Sequence, residues 1–138
     1  MKLRTHGLSL EFLPGDSFNE EGWCQVRVVA VVPGFEGSFE AWLQSGDLVR
    51  FETEIRTMYE AVGVPATATL ASAEPGIDLV LTMQRMGGVS GRYRLESERP
   101  NGVPTELSGS FEMDQSFLPA LQRGVGDLLA ELGGHHEA

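Results

Sequence analysis

Residues 23–43 read WCQVRVVAVVPGFEGSFEAWL, and the spacing inside this stretch decides the fold class. From Trp23 to Val32 one alternate set is Cys24, Val26, Val28, Ala30 and Val32, all apolar, while the other carries Gln25 and Arg27. Successive strand side chains point to opposite faces, so this period of two predicts a strand with one buried face. Pro33-Gly34 then turns the chain. Phe35, Gly37, Phe39, Ala41 and Leu43 alternate with Glu36, Ser38, Glu40 and Trp42, which predicts the second arm of an antiparallel hairpin.

Upstream, Leu8, Leu10 and Phe12 alternate with Ser9 and Glu11 before Pro14-Gly15-Asp16, giving a first strand. Downstream the period changes. Leu48, Phe51, Ile55, Met58, Tyr59 and Val62 recur every three or four residues, as one face of a helix requires. Ser45 or Asp47 serves as its cap, Arg50 and Glu54 lie a turn apart, and Gly63 and Pro65 end it. Four more alternating runs follow, around Ala66–Leu70, Ile77–Met83, Val89–Leu95 and Leu107–Met113. Glu74-Pro75-Gly76, Gly87-Gly88 and Pro100-Asn101-Gly102 supply the reversals between them. Gly91 and Gly109, inside strands, point to a bulge or a close approach of another backbone, with sharp curvature of the sheet.

Phe117, Leu118, Leu121, Val125, Leu128, Leu129 and Leu132 again have helical spacing. Asp114 or Ser116 caps this helix, and Pro119, tolerated only in a first turn, favours Ser116. No internal repeat is legible. The expectation is one α+β domain over residues 1–138, in the order βββαββββα, with a tail at 134–138 that is disordered. Its core is a curved antiparallel meander sheet of about seven strands with both helices packed on one face.

Bulk properties narrow the partners. The chain has 138 residues, 41% hydrophobic and 22% charged, ordinary for one globular core. Cys24 is the single cysteine, so no intramolecular disulfide can form, and its neighbours mark it as a buried small hydrophobe. Neither an apolar leader nor a bilayer-length apolar run is present, which makes a cytoplasmic location the expectation. Twenty Asp and Glu against ten Lys and Arg give a net charge of -10. Such a surface repels phosphate backbones and anionic lipid, so neither nucleic acid nor membrane is expected, and it attracts a basic protein. Solubility alone also accounts for acidity of this size.

Catalytic and metal-binding patterns are missing. His6, the pair His135-His136 and Cys24 form no ligand motif, so no metal or cofactor is expected. Ser38 lacks the context of a nucleophile elbow, and Gly87 to Gly91 lies between strands and opens no helix, unlike a phosphate loop. The pairs Glu36 with Glu40, Glu52 with Glu54, and Glu106 with Glu112 fall on outward positions, where carboxylates stay solvated and do no special proton transfer. No catalytic residue is assigned. Glu36, Glu40, Trp42, Glu106 and Glu112 are instead candidates for contact with a partner, as acidic and aromatic side chains on an exposed sheet face. Two other readings stay open: a small-molecule or enzymatic site between sheet and helices near Gly91 and Gly109, and an acidic secretion chaperone.

The segment from Phe35 through Phe39 and Trp42-Leu43, then Asp47-Leu48 before a helix with Phe51 and Tyr59, resembles the WapI family of immunity proteins. So do the strands from Ala66 to Met83 and Gly87 to Leu95, and the step Asp114-Gln115-Ser116-Phe117-Leu118 that opens the closing helix. The resemblance covers most of the chain beyond Phe35. It implies a small intracellular antidote that binds and inhibits the toxic domain of a bacterial toxin, commonly a nuclease. No catalytic or partner-contact residue carries over from it.

Overall fold

A computed structural model describes residues 1–72, 76–97 and 102–133. Glu74, Pro75, Pro100 and Asn101, which belong to two expected turns, and the tail with His135 and His136 lie outside the described residues. The elements are β1 (Lys2–Thr5), β2 (Leu8–Pro14), β3 (Trp23–Val32), β4 (Phe35–Gln44) and α1 (Ser45–Glu60). Then come β5 (Ala66–Ala71), β6 (Ile77–Met83), β7 (Gly88–Ser97), β8 (Thr105–Asp114), a 3-10 turn (Gln115–Phe117) and α2 (Leu118–Gly133).

The α+β class and the antiparallel meanders are as the alternation predicts, but the strands form two sheets. One has the order β1-β2-β3-β4 and the other β5-β6-β7-β8, each followed by a helix. A four-strand-plus-helix unit therefore occurs twice, against the expectation of one sheet without internal repetition. Two physical reasons explain the difference. β1 has four residues and buries only Leu3, too short to show a period. β5, the next strand after α1, pairs with β6 alone and lies beside α1, which interrupts what would otherwise be a continuous sheet.

The β3–β4 hairpin matches its reading closely, with ten consecutive antiparallel pairs from Trp23–Gln44 to Val32–Phe35. Its two-residue turn works because Gly34 takes a φ of 87°, the left-handed value that proline at the preceding position leaves to glycine. In both sheets the inward set is buried, from Leu10, Phe12, Val26 and Val28 to Leu79, Leu81 and Leu95. These join Leu48, Phe51, Ile55 and Met58 of α1 and Leu118, Leu121, Val125, Leu128 and Leu132 of α2 in one apolar cluster. The helices pack on each other, and α1 also packs along β5. Tyr59, Val62 and Phe117, expected in the helical stripes, are exposed at the rims.

The helix starts differ in detail from their reading. Gln44, and neither Ser45 nor Asp47, is the N-cap of α1. Asp47 is its third residue, and its carboxylate reaches back to accept the Gln44 N–H at 2.9 Å, half of a capping box. Arg50 pairs with Asp47 at 3.3 Å rather than with Glu54. Glu54 instead accepts the N–H of Thr69 in β5 at 2.9 Å. At the second start, Asp114 accepts the Ser116 N–H at 2.8 Å and opens the 3-10 turn, so Asp114 takes the capping role that Pro119 favoured for Ser116.

Candidate functional site

In an antiparallel ladder, facing residues exchange both backbone bonds at every second pair, so one observed bond fixes the phase of the whole strand. Ser45 donates to the Gly22 carbonyl at 2.9 Å, which extends the β3–β4 register by one pair. The amides of Leu43, Ala41, Phe39, Gly37 and Phe35 therefore face β3, and those of Trp42, Glu40, Ser38 and Glu36 face away. β4 is the last strand of its sheet. The same logic applies to the second sheet, where Gln84 donates to Gly88 at 2.8 Å and Glu96 to Gly76 at 2.9 Å. It turns the amides of Glu106, Ser108, Ser110 and Glu112 away from β7, on the outer edge of β8. Four of the five residues singled out by sequence are thus glutamates on the outer edges of the two end strands, and Trp42 accompanies them.

Their surroundings separate them. Glu36 and Glu106 line one cleft of about 550 Å³, between β4 and the ends of β7 and β8. Its walls include Phe35, Phe39, Leu95 and Leu107, with Ser38, Ser97 and Ser108 among the polar groups. Phe35 belongs to the inward set yet is 69% exposed, because among the described residues no layer covers this end of β4. Alternation assigns a face, but it cannot tell whether that face is covered. Glu106 is bound to Arg94 at 2.9 Å. Glu112 lies apart, in a larger groove with Lys2, Arg4 and Arg123, where charges of both signs mix. Glu40 and Trp42 share the outer face of β4, opposite Arg27 and Gln25. The Arg27 guanidinium donates to the Ser38 hydroxyl at 3.1 Å. Among the described residues, Glu36 and Glu40 have neither an ion pair nor a side-chain hydrogen bond.

The glycines of the second sheet have another role than expected. The β7 and β8 registers run without a bulge, and what approaches Gly91 and Gly109 is a pair of rings. A Cβ on Gly91 would fall inside the Phe111 ring, and one on Gly109 would sit 2.6 Å from the Tyr93 hydroxyl oxygen. The two rings lie 6.3 Å apart between centroids and tilted by 32°. They occupy the space directly over Gly91 and Gly109. Among the described residues there is no group of three metal-ligating side chains and no helix long and apolar enough to cross a membrane.

Two titrating groups are moved by their surroundings. The Asp114 carboxyl is held below its ordinary value because it accepts the backbone N–H and then the hydroxyl of Ser116. Burial pushes the Cys24 thiol up from the ordinary 9.0 to about 11. A thiol that keeps its proton and is closed off from solvent is a poor nucleophile. Cys24 is therefore expected to resist a thiol-specific reagent near neutral pH in the folded protein and to react once denaturant is added. The folded pKa lies above the unfolded one, so the stability linked to this group is complete below the ordinary thiol range and is lost as pH rises towards about 11. Thermal melts across that alkaline window should fall less steeply in Cys24→Ala than in the parent chain.

An α+β protein with two four-stranded sheets, two helices and glutamates along the outer edges of both end strands is the class that this fold defines. A family model described as the immunity protein WapI-like family matches residues 1–133, and the chain belongs to that family. The match includes the N-terminal strands, beyond the segment on which the resemblance was first visible. A comparison with curated proteins finds no match. A solved structure described as the crystal structure of WHY1 from Arabidopsis thaliana is similar over 99% of this chain and 91% of that one, with 13% identity and a TM-score of 0.43.

Proposed function

We propose that this protein is a non-catalytic antidote that binds a bacterial toxin domain and blocks its action in the cytoplasm. The observation that carries this reading is the family match across residues 1–133. The net charge of -10 supports a basic target, since an acidic surface steers a basic partner into encounter and raises the association rate. Within that surface, Glu36 and Glu40 are the contact residues best placed to meet a cation, because neither forms an ion pair among the described residues. Trp42, 44% exposed beside Glu40, is placed to anchor the same contact. Glu106 and Glu112 contribute less, the first held by Arg94 and the second surrounded by mixed charge.

The test is to sequence the reading frames beside this one and co-express the chain with any toxin-like domain they encode. Host growth should be restored and the two chains should purify together in a fixed ratio. Unrelieved toxicity, with no complex by size-exclusion chromatography, would remove the proposal.

A further inference from the structure

Resting on that reading, we infer that the open edge of β4 receives an extended segment of the toxin domain as a fifth strand, one in which Lys or Arg alternates with apolar residues. Three features of β4 lead there. Its outer edge presents the unpaired amides and carbonyls of Glu36, Ser38 and Glu40 in a strand whose ten pairs with β3 hold it straight and in register. Long edges of this kind are templates for strand addition, and β4 lacks the proline, lysine or bulge that usually blunts one. Backbone groups on that edge are satisfied by another strand far better than by a helix.

The two faces of β4 then dictate the pattern of the incoming strand. Side chains on its outer face come level with Glu36 and Glu40, and opposite charges in such cross-strand pairs attract. Side chains on its other face enter the cleft of about 550 Å³ against Phe35, Phe39, Leu95 and Leu107. Basic residues two apart with apolar residues between them satisfy both faces at once.

A second copy of β4 does not. Antiparallel pairing centred on Ser38 would set Glu36 of each copy opposite Glu40 of the other, two like-charge contacts that oppose the pairing. Nor does the basic β1, with Lys2 and Arg4, suit the role, since its four residues cannot match the ten of β4. The carboxylates of β4 thus favour a basic strand and disfavour this chain itself.

The experiment uses the full chain in two arms. In the first, an eight-residue peptide alternating lysine with valine is compared with a peptide of the same composition whose lysines are all at one end. The alternating peptide is expected to slow hydrogen exchange at the amides of Glu36, Ser38 and Glu40, and the blocked peptide is not. Ser38→Pro removes an amide that points away from β3, so the β3–β4 ladder stays whole. Losing that bond should weaken peptide binding about tenfold or more, while the melting temperature falls little, since the only other bond lost is the exposed one from Arg27 to the Ser38 hydroxyl.

Equal binding of the two peptides, or protection confined to β8, would overturn the inference, and neither measurement depends on the variant folding. In the second arm, the toxin domain captured by the co-expression test is titrated against the parent chain and Ser38→Pro. Loss of affinity in the variant supports strand addition. Equal affinity overturns it while leaving the antidote reading intact, and failure of the parent chain to bind overturns both. A stable dimer of this chain with β4 protected would assign the edge to a second copy and likewise overturn the inference.

Discussion

Replacing Glu36 and Glu40 together with lysine is expected to weaken binding of the toxin domain by about a hundredfold, since like charges brought together at an interface cost several kcal/mol. The folded state should hardly notice. Both carboxylates are exposed and make no ion pair or side-chain hydrogen bond among the described residues, so their reversal breaks no bond, and the one added cost is a lysine at position 40 facing Arg27 across the β3–β4 ladder, which is modest at an exposed site. Surface changes away from packing and caps generally stay within about 0.5 kcal/mol of neutral. Affinity and melting temperature therefore report on different things, and the expected pattern is a large change in the first with almost none in the second.

Controls come from the other glutamates. Glu106→Lys disrupts its bond to Arg94 and leaves that cation without its carboxylate, but should affect binding less than either change on β4. Raising ionic strength should weaken the parent complex and narrow its advantage over the double variant, because screening reduces both the attraction in the parent and the like-charge repulsion in the variant. A double variant that still binds as tightly as the parent would move the contact face elsewhere.

Gly91→Val should be the most damaging single change in the second sheet. A Cβ at this position falls within the Phe111 ring, which lies across the glycine and is itself buried. The ring cannot stay where it is, and moving it disturbs its tilted contact with Tyr93, whose own ring lies over Gly109. Overpacking of this kind costs about 1–3 kcal/mol and sometimes more, a large part of the few kcal/mol by which a domain of this size is stable. Urea unfolding should show a lower midpoint with the slope unchanged. Phe111→Ala loses the burial of a ring and is destabilising alone, yet combined with Gly91→Val it should cost less than the sum, since the cavity receives the new side chain. Additive costs would show that ring and glycine do not share the space as described.

Much of this architecture was readable from residue spacing. The hairpin of β3 and β4, the apolar stripe of α1 at Leu48, Phe51, Ile55 and Met58, and the meander of β5 to β8 follow directly from periods of two and of three to four. What spacing could not supply was the partition into two sheets, because pairing is settled between distant segments and the only hint lay in the short strand at Lys2–Thr5. The tetrapeptide Gly-Ser-Phe-Glu at 37–40 and again at 109–112 is a signal of the repetition within the sequence, too short to stand out as a repeat by itself. Both copies lie in the last strand of a sheet, with Ser and Glu outward in each.

The candidate surface was legible in the same partial way. Alternation placed Glu36, Glu40, Trp42, Glu106 and Glu112 on outward positions, and all five are exposed. It could not reveal that β4 and β8 are sheet ends, which depends on where each meander stops. Nor could it distinguish Glu106, tied to Arg94, from Glu36 and Glu40, since an ion pair requires knowing which strands are neighbours. The two rings over Gly91 and Gly109 were equally hidden: a glycine in a strand announces a close approach but does not say what approaches.

The bond from Thr69 to Glu54 has a consequence for the protein's life in a crowded cell. β5 is the other end of the second sheet, and without α1 beside it its amides would invite growth of a fibril from that side. One helical carboxylate, reaching across to an amide, acts as a stopper: the sheet ends where the helix stands, and polymerisation finds no template there.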